Sequence, residues 1–175
     1  MKKYYSAFII IFGLMSFQAQ VNIGETSISS PSVSLEFGSG NKGIVLPYVT
    51  SASDVVTAGV VDGTLIFDST DKKVKLRSNN DWIDLTHDET GIVDLSIQST
   101  KTEQANAKVV IGANGSTDTT PGILVLSDTN KAMILPKVAS PHLKIINPAS
   151  GMMVYDTVAH QLAVFNGNVW TFWKP

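Results

Sequence analysis

The sequence predicts a mainly β protein built from two tandem, duplicated small modules, each ending in a β-hairpin and carrying at most short helical turns. Three observations predict it. Short β-type runs bounded by turn formers recur: Gly43–Leu46, Thr64–Phe67, Gly122–Leu126 and Met152–Tyr155. Beyond the first residues, no long stretch carries apolar positions at helical spacing. The same residues also return in the same order at a nearly constant offset, which is the mark of an internal duplication.

The N-terminal segment sets the compartment. Lys2 and Lys3 precede an apolar run from Ala7 to Phe17, and Gln18-Ala19-Gln20 follows. This is the layout of a secretory signal peptide over residues 1–19, although Phe17 stands where a small residue is usual before the cut. The run is shorter than the ~20 residues that cross a bilayer, so no membrane span is expected after signal removal. An exported protein follows as the expectation, at the cell surface or in the periplasm and associated with the outer membrane.

With no cysteine, a disulfide framework, thiol chemistry and a lipid-modified cysteine are excluded. Residues 1–19 contain two lysines and no acid, so their loss moves the formal charge from -2 to -4. Such a chain has no basic footprint for nucleic acid and no basic amphipathic helix for a membrane surface.

The first module spans residues 20–86. After the strand at Gly43–Leu46, Ser51 to Thr57 is a candidate short helix. Lys73–Arg77 alternates cleanly and places Val74 and Leu76 on one face; Trp82–Leu85 returns with Ile83 and Leu85 on that face. Asp84 then sits near Lys73 or Lys75, an exposed cross-strand pairing that contributes only ~0.2–1 kcal/mol and helps fix register. Residues 87–107 form a polar linker with one weakly alternating run, Ile92 to Ile97, which reads as a connecting strand or a spacer.

The second module spans residues 108–175. Pro141 to Ile146 is its candidate short helix, and Gln161–Phe165 and Asn168–Trp173 flank Asn166-Gly167. Asn-Gly tolerates positive φ at both turn positions and is a strong hairpin signal. With these two residues as the loop, Val164 faces Val169, Leu162 faces Thr171, and Ala163 and Trp170 share the other face.

The duplication rests on four matches. Val21–Gly24 matches Val109–Gly112 at an offset of 88, and NKGIVLP (Asn41–Pro47) matches NKAMILP (Asn130–Pro136) at 89. Gly63–Asp68 matches Gly151–Asp156 at 88, and Trp82 matches Trp170 at 88. The repeated phrase reads better as a register mark than as a lysine site, with Ile44, Leu46, Ile134 and Leu135 in cores and proline ending each strand.

No chemistry emerges from the ionisable residues. His87, His142 and His160 lie far apart without partners at ligand spacing, so no metal is expected. Asp68–Asp71 lacks the later ligands of a calcium loop, and Gly38–Gly43 fits neither a phosphate loop nor a dinucleotide fingerprint, so no cofactor is expected. No nucleophile elbow or carboxylate pair is present, and the chain reads as non-enzymatic with no catalytic residue. The candidate interaction surface is aromatic: Trp82, Tyr155, Trp170, Phe172 and Trp173. These residues suit packing beneath a hairpin or across a subunit contact, and a sugar-stacking platform is the rarer use.

These residues resemble a repeat of the form NIG, KG-LL-P-R, PA-G-LIYDT and YYNG-W. It occurs in phage tail-fibre and head-fibre-like proteins and in secreted surface proteins of gliding Gram-negative bacteria. The first copy carries Asn22–Gly24, Lys42–Pro47, Gly63–Asp68 and Trp82; the second carries Ile111-Gly112, Lys131–Pro136, Pro148–Gly151, Val154–Thr157 and Phe165–Trp170. It departs from the pattern at Tyr48, where a basic residue is usual and where the second copy keeps Lys137. The first copy also lacks Pro-Ala before Gly63 and has Ser78-Asn79-Asn80 in place of the Asn-Gly turn.

The resemblance implies a structural or adhesive piece, often strung along fibres, with trimeric relatives and no catalytic residues. A fibre-like or adhesive cell-surface component is therefore expected, with a homotrimer as the self-associated form. Two other readings stand beside it: an accessory subunit on an outer-membrane secretion or gliding-motility complex, and a glycan-binding module using Trp170 and Trp173.

Overall fold

The computed structural model describes residues 20–56, 59–96, 98–104 and 106–173. The signal-peptide reading of residues 1–19 and the ends of two expected elements, Thr57 and Ile97, lie outside the described residues. The described chain is mainly β, with two short helices, as the sequence predicts.

The first half runs β1 (Val21–Ile23), β2 (Val33–Phe37), β3 (Ile44–Val45), β4 (Tyr48–Val49), α1 (Ala52–Val56), β5 (Leu65–Asp68), β6 (Lys73–Ser78) and β7 (Asp81–Asp84). The second half repeats that order as β8 (Val109–Ile111), β9 (Leu124–Leu126), β10 (Ala132–Ile134), β11 (Lys137–Val138), α2 (Pro141–Lys144), β12 (Met152–Asp156), β13 (Gln161–Phe165) and β14 (Trp170–Trp173). Pairing repeats as well. β1 and β2 are parallel, as are β8 and β9; β4 lies parallel to β5, as β11 does to β12. Each half ends in an antiparallel meander, β5-β6-β7 or β12-β13-β14.

Alternation decides the core. Phe67, Val74 and Leu85 of the first meander and Met153 and Val164 of the second are buried in one cluster with Leu46. Burying one face of each sheet against the other supplies the apolar closure that neither small half could make alone. Val138, Ile145, Val154 and Ala163 form a second cluster beneath the opposite face of the second meander.

Each half is also pinned by an aspartate at the end of its repeated strand. Asp68 accepts the Ala52 N–H at 2.8 Å, at the start of α1, and the Thr70 N–H at 3.0 Å. Asp156 accepts the N–H groups of Ser140, Val158 and Ala159 at 3.2, 2.8 and 3.2 Å, ordering the entry to α2 and the turn after β12 together. Burial pushes the Asp156 carboxyl up, but these three donors and the nearby His142 outweigh it and hold the carboxyl below the usual carboxylate range.

The first hairpin follows its pattern. Leu76 lies opposite Ile83 and Lys75 opposite Asp84, whose carboxylate holds Lys73 at 3.2 Å and Lys75 at 2.8 Å. The second hairpin is shifted. Leu162 lies opposite Trp173 and Val164 opposite Thr171, rather than Thr171 and Val169, so the loop is four residues long. The cause is Asn166, which is fully buried and accepts the N–H groups of Asn168 and Val169 at 2.9 and 2.8 Å. Such side-chain capping stabilises a wider turn than the two-residue Asn-Gly loop. The slip of two keeps side-chain parity, so Ala163 and Trp170 still share a face.

The run from Ile92 forms no strand among the described residues; it docks on the second hairpin. The Ile92 N–H donates to the Asn166 carbonyl at 3.1 Å, Ser150 Oγ donates to the Ile92 carbonyl at 2.6 Å, and Asn166 Nδ2 reaches Asp88 at 3.0 Å.

Candidate self-association surface

The repeated phrase is where one half crosses to the other. In the first copy, the Leu46 N–H donates to the Gly151 carbonyl at 3.1 Å, and Ile44 and Val45 pair antiparallel with Met153 and Met152 of β12. One residue later the Pro47 carbonyl accepts the Phe67 N–H at 3.0 Å, and Tyr48 pairs with β5 of its own half. A single extended segment thus serves the neighbouring half first and its own half second. Proline stands at the changeover, where its missing N–H costs the ladder nothing and its carbonyl still accepts.

The second copy does the same with a different neighbour strand. Ala132–Ile134 pairs parallel with β2 of the first half, and the Pro136 carbonyl then accepts the Tyr155 N–H of β12 at 2.9 Å. Tyr48 and Phe67 stack with ring centroids 5.2 Å apart, and Tyr48 Oη donates to the Ser150 carbonyl at 2.7 Å. Burial raises the Tyr48 phenol above its ordinary value, and it remains a neutral donor across the physiological range. The phrase therefore fixes relations between halves. Leu46 is buried in the shared core; Ile44, Ile134 and Leu135 are half-buried.

The aromatic candidates divide between the two faces of the meanders. Tyr155 and Trp173 share a face through Leu162, which pairs with both. Trp170 and Phe172 lie on the other face against the Val138–Ala163 cluster; Trp170 is 5.3 Å from the Phe165 ring, and Phe172 meets His142 edge-on at 5.6 Å. Trp170 and Trp173 are therefore not brought into one stacking platform. Trp82, the repeat partner of Trp170, lies beneath the Arg77 guanidinium at 5.5 Å.

Sequence reasoning missed the apolar hollow at the seam between the halves. It encloses about 280 Å³ and is lined by Leu65, Leu76 and Leu85 of the first half and Met133, Leu135, Met153, Leu162 and Trp173 of the second. Two pairs of its walls, Leu65 with Met153 and Leu85 with Trp173, are the same position in the two copies. The offset of 88 relates them, but no local pattern shows that they face one space. Among the described residues no group of three histidine, cysteine or carboxylate side chains could hold a metal, and no helix is long and apolar enough to cross a membrane.

The arrangement can pair strands and bury apolar faces, a structural capacity. No curated protein and no solved structure shows significant similarity to the chain. The resemblance to a tail-fibre-like repeat is borne out by a family model: residues 111–174, from the end of β8 through β14, match the phage tail-like trimerisation region.

Proposed function

We propose that this protein is an exported, non-enzymatic component of a fibre-like or adhesive surface structure, which works by assembling as a homotrimer. The observation that carries the reading is the exchange of the repeated phrase between halves, the second copy of which lies within the segment, residues 111–174, that matches a trimerisation region. Strands that already pair across a module boundary suit assembly between chains, because the same edges recognise the same partner strand. Export rests on the basic and apolar N-terminal segment, and the two-module division on the repeat.

Native mass measurement of the chain from residue 20 tests the assembly. The expected mass is three chains, stable to dilution into the micromolar range. A compact monomer at every concentration overturns it. Fractionation of the producing cells tests the location, with the mature chain expected outside the inner membrane; recovery of an uncleaved protein in the cytoplasm overturns that part.

A further inference from the structure

The contact between the two halves of one chain is head-to-tail, and its complementary surfaces are left open on the outer sides. β2 takes β10 on the edge away from β1, whereas β9, its repeat partner, has β8 on one edge and no strand on the other among the described residues. Ile123, just before β9, is 64% exposed, and Leu124, its first residue, 48%. The Val109 N–H donates to the Ile123 carbonyl and the Ser127 N–H to the Ile111 carbonyl, so Leu124 and Leu126 turn their peptide groups outward. Bare apolar strand edges are templates for another strand.

The repeat says which strand fits. Leu35 and Leu124 occupy the same place, since Val21 and Val109 pair with them. On Leu35 and Glu36 lie Met133 and Ile134, whose repeat partners are Ile44 and Val45. The matching edge of β3 carries no strand among the described residues. Its Leu46 N–H points to β12, and Gly43, three residues away, points the opposite way, as its partner Ala132 does when it donates to the Ser32 carbonyl at 2.8 Å.

The opposite end of the contact is open in the same manner. β12 takes β3 beside Met152 and Met153, but their partners Thr64 and Leu65, at the start of β5, have among the described residues no strand beside them except β6. A Cβ on Gly151 would meet the Phe67 ring at 3.1 Å, whereas one on Gly63 would meet nothing within 4 Å. Tyr155 is the repeat of Phe67, and Lys137 is the repeat of Tyr48. Where Tyr48 reaches Ser150, Lys137 would reach Asp62, an opposite charge.

We propose that the second half of one chain joins the first half of a second copy through this same contact. β3 of the second copy lies parallel against the open edge of β9, with its Ile44 opposite Leu124 and its Val45 opposite Val125. In return β10 of the first copy lies against Thr64–Leu65 of the second copy, Tyr155 seats on Gly63, and Lys137 faces Asp62. Three such heterologous contacts that close on themselves give a trimer in which the β9 edge and the Thr64–Leu65 edge of every chain are paired. The inference rests on the self-association reading and adds its strand register.

Because the chain has no cysteine, engineered pairs report cleanly. The double variant Val45→Cys/Val125→Cys places two thiols on in-register neighbours, within the ~4.4–6.8 Å Cα separation a disulfide spans. Mild oxidation of the assembled protein is expected to link chains to one another, with neither single variant doing so. The pair Ile134→Cys/Val125→Cys is expected to stay unlinked, because Ile134 already lies opposite Glu36 in its own chain. An intact oligomer in which Val45→Cys/Val125→Cys fails to cross-link overturns the register and leaves assembly standing. So does inter-chain linking of Ile134→Cys/Val125→Cys, which would mean that like halves pair. A protein that stays monomeric overturns both.

Discussion

At the residue scale, the strongest determinants are small and buried. Gly167 sits at φ +96°, and a Cβ there would overlap the Ile92 carbonyl oxygen and crowd Ser150 Oγ. Gly167→Ala therefore strains the backbone and drives the 88–93 segment off the second hairpin; a loss of about 2–4 kcal/mol in chemical denaturation is expected. A loss below half a kcal/mol would show that this segment does not depend on the hairpin. Asp156→Ala strands three N–H groups, and a loss of about 1.5–3 kcal/mol is expected. The sign with pH follows from the depressed carboxyl. Its contribution is complete above the ordinary aspartate range and disappears as pH falls through the lower folded value. The gap between wild type and Asp156→Ala in urea melts should thus not shrink between neutral pH and about 5, and should narrow only in strong acid. A gap that closes near neutrality would count against this account.

At the element scale, the first hairpin carries a charge network that its strand pattern foretells. Asp84 bridges Lys73 and Lys75, and Lys75 also reaches Asp71. Burial lowers Lys75, but its two aspartates outweigh that and raise it; burial raises Asp84, but its two lysines outweigh that and lower it. The network is therefore complete between the ordinary aspartate and lysine ranges. It fails in acid below the depressed Asp84 value, and in base above the raised Lys75 value. Asp84→Asn should cost no more than about 1 kcal/mol, less in molar salt, because the group is a third exposed. A salt-independent loss above 3 kcal/mol in equilibrium melts would mean that Asp84 does something besides pairing.

The same scale shows what the sequence makes legible. Alternation placed Val74, Leu76, Ile83 and Leu85 on one face, and the repeat offsets paired β1 with β8, β3 with β10, β5 with β12 and β7 with β14. Both signals are local or periodic, so a single chain displays them. The second hairpin slipped by two because the Asn166 side chain, rather than its backbone propensity, shapes the loop. Nor could NKGIVLP announce that its first half pairs with β12 and its second with β5, since non-local pairing leaves no mark in a seven-residue pattern. The aromatic candidates were legible as apolar bulk but not by face, and the Trp170 and Trp173 rings diverge because they lie an odd number of residues apart on one strand.

At the scale of the whole molecule, the proposed assembly links folding to concentration. The hollow between the halves is walled by leucine, methionine and tryptophan side chains from both, two pairs of them at equivalent positions. Apolar surface of this kind is a liability in an isolated chain and a source of affinity in an assembled one. If the native form is an oligomer and the unfolded form a single chain, mass action makes stability depend on concentration. For three chains, a tenfold rise in concentration stabilises each chain by about 0.9 kcal/mol, equivalent to about 2–4 °C in Tm for a protein of this size. Differential scanning measurements over a hundredfold range should therefore show Tm climbing by roughly twice that amount. The single variant Leu126→Pro removes an outward N–H from β9 without touching its bonds to β8, so it should flatten the dependence while the fold persists. A Tm that is constant for the unmodified chain across the range would mean that the open edges and the hollow are tolerated by a monomer.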